Sequence, residues 1–230
     1  MKKRLMVIIP AYNEAGNIKR VVDGLKGKYD YVIVNDGSRD ETAEICRAEG
    51  YNMLDLPINL GLAGAFQTAV QYAYELGYDY IIQFDGDGQH KSEYIDGMLE
   101  FAEKEGYNIV IGSRFVGHGK PFNFRMVGSR MISLFIRMMT GKKIEDPTSG
   151  MRLFDVRVMK CMAYEFNMAP EPDTIAYFIK CGMKVGEYPV DMQEREIGES
   201  YLNFANSIKY MWKICFSILL LLVVRKRKEL

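Results

Sequence analysis

Short apolar runs separated by helix-like stretches constrain this chain more than any other feature of its sequence. Residues 5–9 (LMVII), 31–34 (YVIV), 80–84 (YIIQF) and 108–111 (NIVI) are short and rich in β-branched or aromatic residues, the pattern of buried strands. Residues 52–56 (NMLDL) form a weaker run of the same kind. Between them, 15–27, 39–49, 62–76 and 91–104 have helical character, and Ser38 with Glu41 has capping-box spacing ahead of the second helix. Strand–helix alternation of this kind predicts an α/β fold with a mostly parallel sheet covered on both faces. Such sheets bind ligands at the carboxyl ends of their strands, so the loops there are the place to look for chemistry.

Size and composition narrow the partners. A chain of 230 residues, 48% hydrophobic and 26% charged, has enough apolar mass for a core and is not disordered. Lys+Arg and Asp+Glu are equal at 30 each, without the basic excess of a general nucleic-acid binder. Charge is nevertheless polarised. From 114 to 143 there are basic residues and no acidic ones, and 201–230 has six basic residues against one acidic. Basic zones on an otherwise acidic chain point to an anionic partner at one surface. Cys46, Cys161, Cys181 and Cys215 have no CxxC spacing, which removes support for a zinc site or redox dithiol. The apolar run 5–9 is too short for a signal peptide, so a cytoplasmic location is expected.

The loops expected at the strand ends are polar and specific: PAYNE (10–14), NDGSRDET (35–42), DGDGQH (85–90) and GSR (112–114). In DGDGQH, Asp87 and Gln89 are two apart, and an extended loop would project them the same way. Carboxylate and amide oxygens suit Mg²⁺ or Mn²⁺ with positions left for a substrate's phosphates. A solvated Gly/Asp turn satisfies the same residues. An EF-hand does not, because Asp96 stands where the loop needs its twelfth-position glutamate. The segment NLGLAG (59–64) lacks the GxGxxG dinucleotide fingerprint and a Walker lysine, and packing alone accounts for its glycines.

Taken together and in order, PAYNE, NDGSRDET, NLGLAGA, DGDGQH and DPTSG resemble a family 2 glycosyltransferase of the GT-A fold, over residues 10–150 and more loosely to about 200. The resemblance implies that Asp87 and Gln89 hold a divalent metal on the diphosphate of a nucleotide-sugar, with Asp85 at the metal or ribose edge. It implies that Pro10, Tyr12, Glu14 and Asp36 bind the base and ribose. Tyr12 as core packing and Glu14 as a helix N-terminal carboxylate are the plainer alternatives.

Within that family the chain resembles the polyprenyl-phosphate sugar synthases of the dolichol-phosphate mannose synthase type. There an arginine and a serine one turn later bind the lipid phosphate, and Arg125 and Ser129 match that spacing. Arg114 occupies the other phosphate-contacting position. Arg195, in REIGES (195–200), resembles the arginine that neutralises the donor pyrophosphate, although Tyr201 stands where a lysine is common. Asp146 is a candidate base or acceptor-positioning residue, with an Asp-Pro turn as its plainer reading. A phosphate monoester is already a nucleophile, so the chemistry needs alignment and charge neutralisation more than a strong base.

Residues 206–224 are strongly apolar, but the uncharged run 214–224 is short of the ~20 residues that span a bilayer. Lys209, Lys213 and Ser217 recur every four residues as one polar face, and 225–228 is a basic cluster. An amphipathic helix lying on an anionic membrane surface is expected. The organisation expected is therefore a GT-A domain over 1–204 and a membrane-association segment over 205–230. The activity implied is inverting, metal-dependent transfer of a hexose from a nucleotide-sugar, UDP-linked by preference, to a polyprenyl phosphate at the cytoplasmic membrane face. A transferase acting on a saccharide hydroxyl and a non-catalytic nucleotide-sugar-binding protein are the rival readings. No nucleic-acid partner is expected, and a homo-oligomer is left open.

Overall fold

The computed structural model describes residues 3–117, 124–165, 169–192 and 204–224. In chain order the elements are β1 (Leu5–Ala11), α1 (Ile18–Asp23), β2 (Asp30–Asn35), α2 (Thr42–Ala48), β3 (Met53–Asp55), α3 (Gly61–Glu75), β4 (Tyr80–Gln83), α4 (Ile95–Glu105) and β5 (Ile109–Ser113). Then come α5 (Phe124–Thr140), β6 (Arg152–Asp155), α6 (Val156–Tyr164), α7 (Pro172–Lys180), β7 (Val185–Pro189) and α8 (Phe204–Val224). The seven strands form one sheet in the order β3-β2-β1-β4-β6-β5-β7.

Alternation along each strand explains the layers. Met6 and Ile8 of β1 face one core with Phe66 of α3, Ile132 of α5, Met159 of α6 and Phe178 of α7. Val7 and Ile9 face the other, with Val22 of α1, Cys46 of α2 and Met98 of α4. Both faces of the central strands are therefore apolar, as a covered parallel sheet requires. The expected helix 15–27 is shorter in the fold, and the expected capping box does not form. Ser38 Oγ instead accepts the Asn13 N–H (3.0 Å), so it ties two loops together rather than opening α2.

One strand decides the shape of the site. β6 runs antiparallel between β4 and β5, whereas the other pairings in the sheet are parallel. Reversed in direction, it brings the loop that precedes it to the edge where the loops after β4 and β5 emerge. Arg152, its first residue, lies in register with Gln83 of β4 and Ile111 of β5.

α8 packs against α5 and α7, and Gly128 of α5 makes the close approach: a Cβ there would collide with the Met211 side chain. Ile214 and Ile218 are buried in the core of that face. The expected polar stripe does not look outward as a unit, because Ser217 donates its hydroxyl to Asp173 of α7. Lys213 of the stripe is exposed, together with an apolar row of Trp212 (68%), Phe216 (61%), Leu219 and Leu220. No helix among the described residues is long and apolar enough to cross a membrane.

Candidate active site

The loops after β1 and β2 are stitched into one wall. The N–H groups of Asn13, Glu14 and Ala15 donate to Ser38 Oγ (3.0 Å), Thr42 Oγ1 (2.9 Å) and Asp40 Oδ2 (3.1 Å). Asn13 has left-handed backbone (φ 58°), which asparagine tolerates, and its side chain accepts the Arg39 N–H (2.9 Å). Asp36 is buried at the foot of this wall. Its N–H donates to the Ala11 carbonyl, and Oδ1 accepts the Leu60 N–H at 2.7 Å, which fixes the NLG turn against β2. Gly37 is required at this junction: its φ is +63° and a Cβ would lie 2.7 Å from the Asn59 nitrogen. Tyr12 and Glu14 are half-buried. Glu14 also serves the start of α1, where its Oε2 accepts from Asn17 Nδ2 (2.8 Å) and its carbonyl from the Ile18 N–H.

The acidic loop runs beside that wall, since a Cβ on Gly86 would lie 3.0 Å from the Pro10 carbonyl oxygen. It is a turn rather than the expected extended segment. Gly88 has φ +77°, and Asp87 Oδ1 accepts the N–H of Gln89 (3.0 Å), a local Asx-type bond that pulls the chain round. Asp85 is held from two sides: Gln83 Nε2 donates to its Oδ1 (3.0 Å), and its N–H donates to His90 Nδ1 (2.9 Å). His90 is buried, and with Nδ1 accepting, its proton belongs on Nε2, 3.6 Å from Asp85 Oδ2. A cavity bounded by Arg20, Tyr29, Phe84, Gly88 and Asp96 lies behind the loop, and none of Asp36, Asp85, Asp87 or Arg114 lines it.

The donors Asp85, Asp87 and Gln89 are all hard oxygens, and Asp85 keeps about a third of its side chain exposed (36%). Among the described residues no three His, Cys, Asp or Glu side chains converge as a closed metal cage. Two carboxylates and an amide fit an ion that takes its remaining ligands from water and substrate phosphates, the usual habit of Mg²⁺.

Across β6 lies a pair of opposite charges. Asp146 is fully buried and takes three N–H donors from Arg114: Nε (2.7 Å) and Nη2 (2.8 Å) of the guanidinium, and the backbone N–H (3.2 Å). Burial disfavours the Arg114 cation, but its bonds and charge pairing with Asp146 outweigh this and raise its pKa above the ordinary arginine value. The DPTSG loop itself hangs on Arg152, which is 2% exposed and donates to the carbonyls of Ser149 (2.8 Å), Pro147 (2.7 Å) and Pro170. Burial pushes the Arg152 guanidinium below its ordinary pKa, against the pull of Tyr210, Glu171, Asp85 and Asp146. At the end of the loop Gly150 leaves room for Asp85, because a Cβ there would collide with the Asp85 carboxylate.

The fold therefore gathers Pro10, Tyr12, Glu14, Asp36, Asp85, Asp87, Gln89, Arg114 and Asp146 along one sheet edge, on or beside the loops at the strand ends. Ser129 is buried on α5. Arg125 lies in the first turn of α5, but its side chain is outside the described residues, as is the whole of Arg195. Sequence reasoning missed Gln83, His90, Gly150, Arg152 and Glu187. The one available signal was the polar run DPTSGMR (146–152), which marks a loop but not the strand it leads into.

The fold matches solved structures of glucosyl-3-phosphoglycerate synthase from Mycobacterium tuberculosis. The complex with phosphoglyceric acid has TM-score 0.69 and 16% identity, covering 97% of this chain and 80% of that one. The complex with Mn²⁺, UDP-glucose and phosphoglyceric acid has TM-score 0.69 and 14% identity, covering 97% and 79%. At these identities the likeness is one of fold, and it bears out the GT-A expectation. Curated relatives are nearer in sequence. The undecaprenyl-phosphate mannosyltransferase of Micrococcus luteus is 30% identical, covering 87% of this chain and 88% of its own. The UDP-N-acetylglucosamine–dolichyl-phosphate N-acetylglucosaminyltransferase of Methanococcus voltae is 31% identical, covering 82% and 85%. The family model Glycosyl transferase family 2 matches residues 6–163, which take in the stitched wall, the acidic loop and the Arg114–Asp146 pair, and the chain belongs to that family of glycosyltransferases.

Proposed function

We propose that this enzyme transfers a hexose from a nucleoside-diphosphate sugar, UDP-linked by preference, to the phosphate of a polyprenyl phosphate, with inversion, at the cytoplasmic face of a membrane. The observation that carries this reading is the division of the strand-end edge: hard oxygen donors on the β4 loop, and a locked arginine two strands over on the β5 loop. Two relatives named for undecaprenyl-phosphate and dolichyl-phosphate acceptors support the lipid phosphate.

Asp87 and Gln89, with Asp85 at their edge, would hold Mg²⁺ or Mn²⁺, whose contribution is to offset charge on the departing nucleoside diphosphate. Asp36 accepts from the base or ribose, and Tyr12 and Pro10 pack against it. Arg114 attracts the acceptor phosphate and holds it for in-line approach to the anomeric carbon, together with Arg125 and Ser129 by resemblance. By the same resemblance Arg195 would neutralise the donor diphosphate. The acceptor phosphate is its own nucleophile, so no proton needs removing at the moment of attack. Asp146 suits positioning rather than proton transfer, since its buried carboxylate already accepts three N–H groups from Arg114. That geometry works against the saccharide-hydroxyl reading, which needs a base.

Membrane association is supported by the exposed apolar face of α8 (Trp212, Phe216, Leu219, Leu220), with Leu134 and Met138 exposed on α5. The test is transfer of label into the organic phase from UDP-glucose, UDP-GlcNAc or GDP-mannose to undecaprenyl phosphate, with Mn²⁺ or Mg²⁺ and with EDTA. Metal-dependent label from one donor is the expected result. No transfer from any donor, with nucleotide binding intact, overturns the acceptor assignment.

A further inference from the structure

We propose that Glu187 is a positioning residue for the acceptor phosphate: it fixes the main chain that carries Asp146, and Asp146 fixes Arg114. This rests on the reading above that Arg114 meets that phosphate. Glu187 lies on β7, in parallel register with Ile111 of β5. Its carboxylate reaches under the 145–150 loop, where Oε2 accepts the Glu145 N–H (2.7 Å) and Oε1 accepts the Asp146 N–H (2.8 Å). The buried Ser113 side chain adds a third hydrogen bond, one residue before Arg114.

Both oxygens of Glu187 are thus spent on two successive peptide groups. That fixes where the Asp146 backbone stands. The buried Asp146 carboxylate, gripped by Nε and Nη2, then fixes the plane and place of the Arg114 guanidinium. With Nε and one Nη2 hydrogen on Asp146, the Nη1 hydrogens and the other Nη2 hydrogen of Arg114 are left for a phosphate, so tilting the anchor misdirects them and weakens acceptor capture.

The arrangement is electrostatically uneconomical for a merely structural prop. Burial and the neighbouring Asp146 charge both push the Glu187 carboxyl above its ordinary pKa, and the N–H groups of Glu145 and Asp146 pull the other way. A neutral amide would avoid that cost, but it offers one carbonyl oxygen where two N–H donors converge.

The test is a double-mutant cycle between Glu187→Gln and Arg114→Ala, read as the KM for undecaprenyl phosphate with the active donor saturating. Glu187→Gln should raise the acceptor KM by about tenfold, the usual weight of a hydrogen bond to a charged group, with the donor KM unchanged. In the Arg114→Ala background the same change should add less than about twofold, because the group it positions is gone. An unchanged acceptor KM in Glu187→Gln overturns the inference. So does an equal rise in the donor KM, or a penalty undiminished without Arg114. If Glu187→Gln does not fold, Ser113→Ala removes one bond to the same carboxylate and should give a smaller acceptor-only rise; none would overturn the inference. Wild-type enzyme that transfers nothing to polyprenyl phosphate refutes the functional reading instead, and is seen before any variant is made.

Discussion

Replacing Asp146 by Asn separates a positioning carboxylate from a catalytic base. Asn keeps the shape but offers one acceptor oxygen, and its amide N–H₂ must face either Nε or Nη2 of Arg114, which both donate. One arm of the fork is lost and the cation loses its counter-charge. Removing one partner of a buried ion pair costs about 3–5 kcal/mol. Arg114 retains 33% exposure of its side chain, so water recovers part of this, and a net loss of about 2–3 kcal/mol is expected. For a chain of this length that is a fall in Tm of roughly 5–10 °C, readable by calorimetry. In the organic-phase transfer assay, the acceptor KM should rise by about tenfold while kcat stays within about tenfold of wild type. A general base would behave differently, because its loss costs about 10²–10⁴ in kcat. A thousandfold drop in kcat, on the order of that range, with the acceptor KM unchanged, would falsify the positioning argument and favour a hydroxyl acceptor.

Gly150→Ala should move Asp85, because the new Cβ collides with its carboxylate; about a hundredfold loss of kcat/KM is expected, partly relieved by raising Mn²⁺, and wild-type kinetics would refute the packing argument. Trp212→Ala with Phe216→Ala removes the exposed aromatic surface of α8 among the described residues. Co-sedimentation with phosphatidylglycerol vesicles should fall at least about tenfold, and undiminished binding would show that another surface meets the lipid. Asp40 gives a pH test. Burial acts to raise its pKa, but hydrogen bonds from Thr42 and the Ala15 N–H win and hold it below the ordinary 3.8. A depressed carboxyl contributes stability that is full above its unfolded pKa and is lost as pH falls through the folded one. Asp40→Asn should therefore be less stable than wild type at neutral pH, with the gap closing in acid denaturation as pH drops below that range. A gap independent of pH would mean that the shift is not where the stability comes from.

The parts of the fold legible in the sequence are those whose pattern is local. β1, β2, β4 and β5 are apolar on both faces and stand out as continuous runs, and the helices between them follow from periodicity and length. β6 carries no such mark. It is four residues long and begins with a buried arginine, whose placement makes sense only when Ser149, Pro147 and Pro170 supply carbonyls around it. β7 is equally quiet, since Gly186 and Glu187 interrupt any apolar alternation. Both owe their place to distant partners: the Gly186 backbone passes so close to Tyr107 that a Cβ would lie 2.7 Å from its ring, and Glu187 binds the 145–146 main chain. α8 was legible as a helix; of its expected polar stripe Lys213 is exposed, whereas Ser217 is claimed by Asp173 of α7, a partner on a separate helix that no local pattern announces.

The candidate site divides along the same line. Asp36, Asp85, Asp87, Gln89, Arg114 and Asp146 belong to short motifs and could be read as residue types in a pattern. What holds them could not. The motif DPTSG contributes through both ends at once: Asp146 grips Arg114 at its start, and Gly150 makes room for Asp85 at its close. Glu187 from β7 holds the main chain at the start of the loop, and Arg152 from β6 holds the carbonyls of Pro147 and Ser149 nearer its close. An antiparallel strand is what makes this geometry available, because a loop entering a strand at the carboxyl edge of its parallel neighbours can touch the loops on either side. Arg114 and Asp85, which the proposed function puts on the acceptor and donor sides, thereby both touch a single loop. That is a physical route to holding a phosphate nucleophile and a sugar-nucleotide in fixed relative position without any group that must itself react.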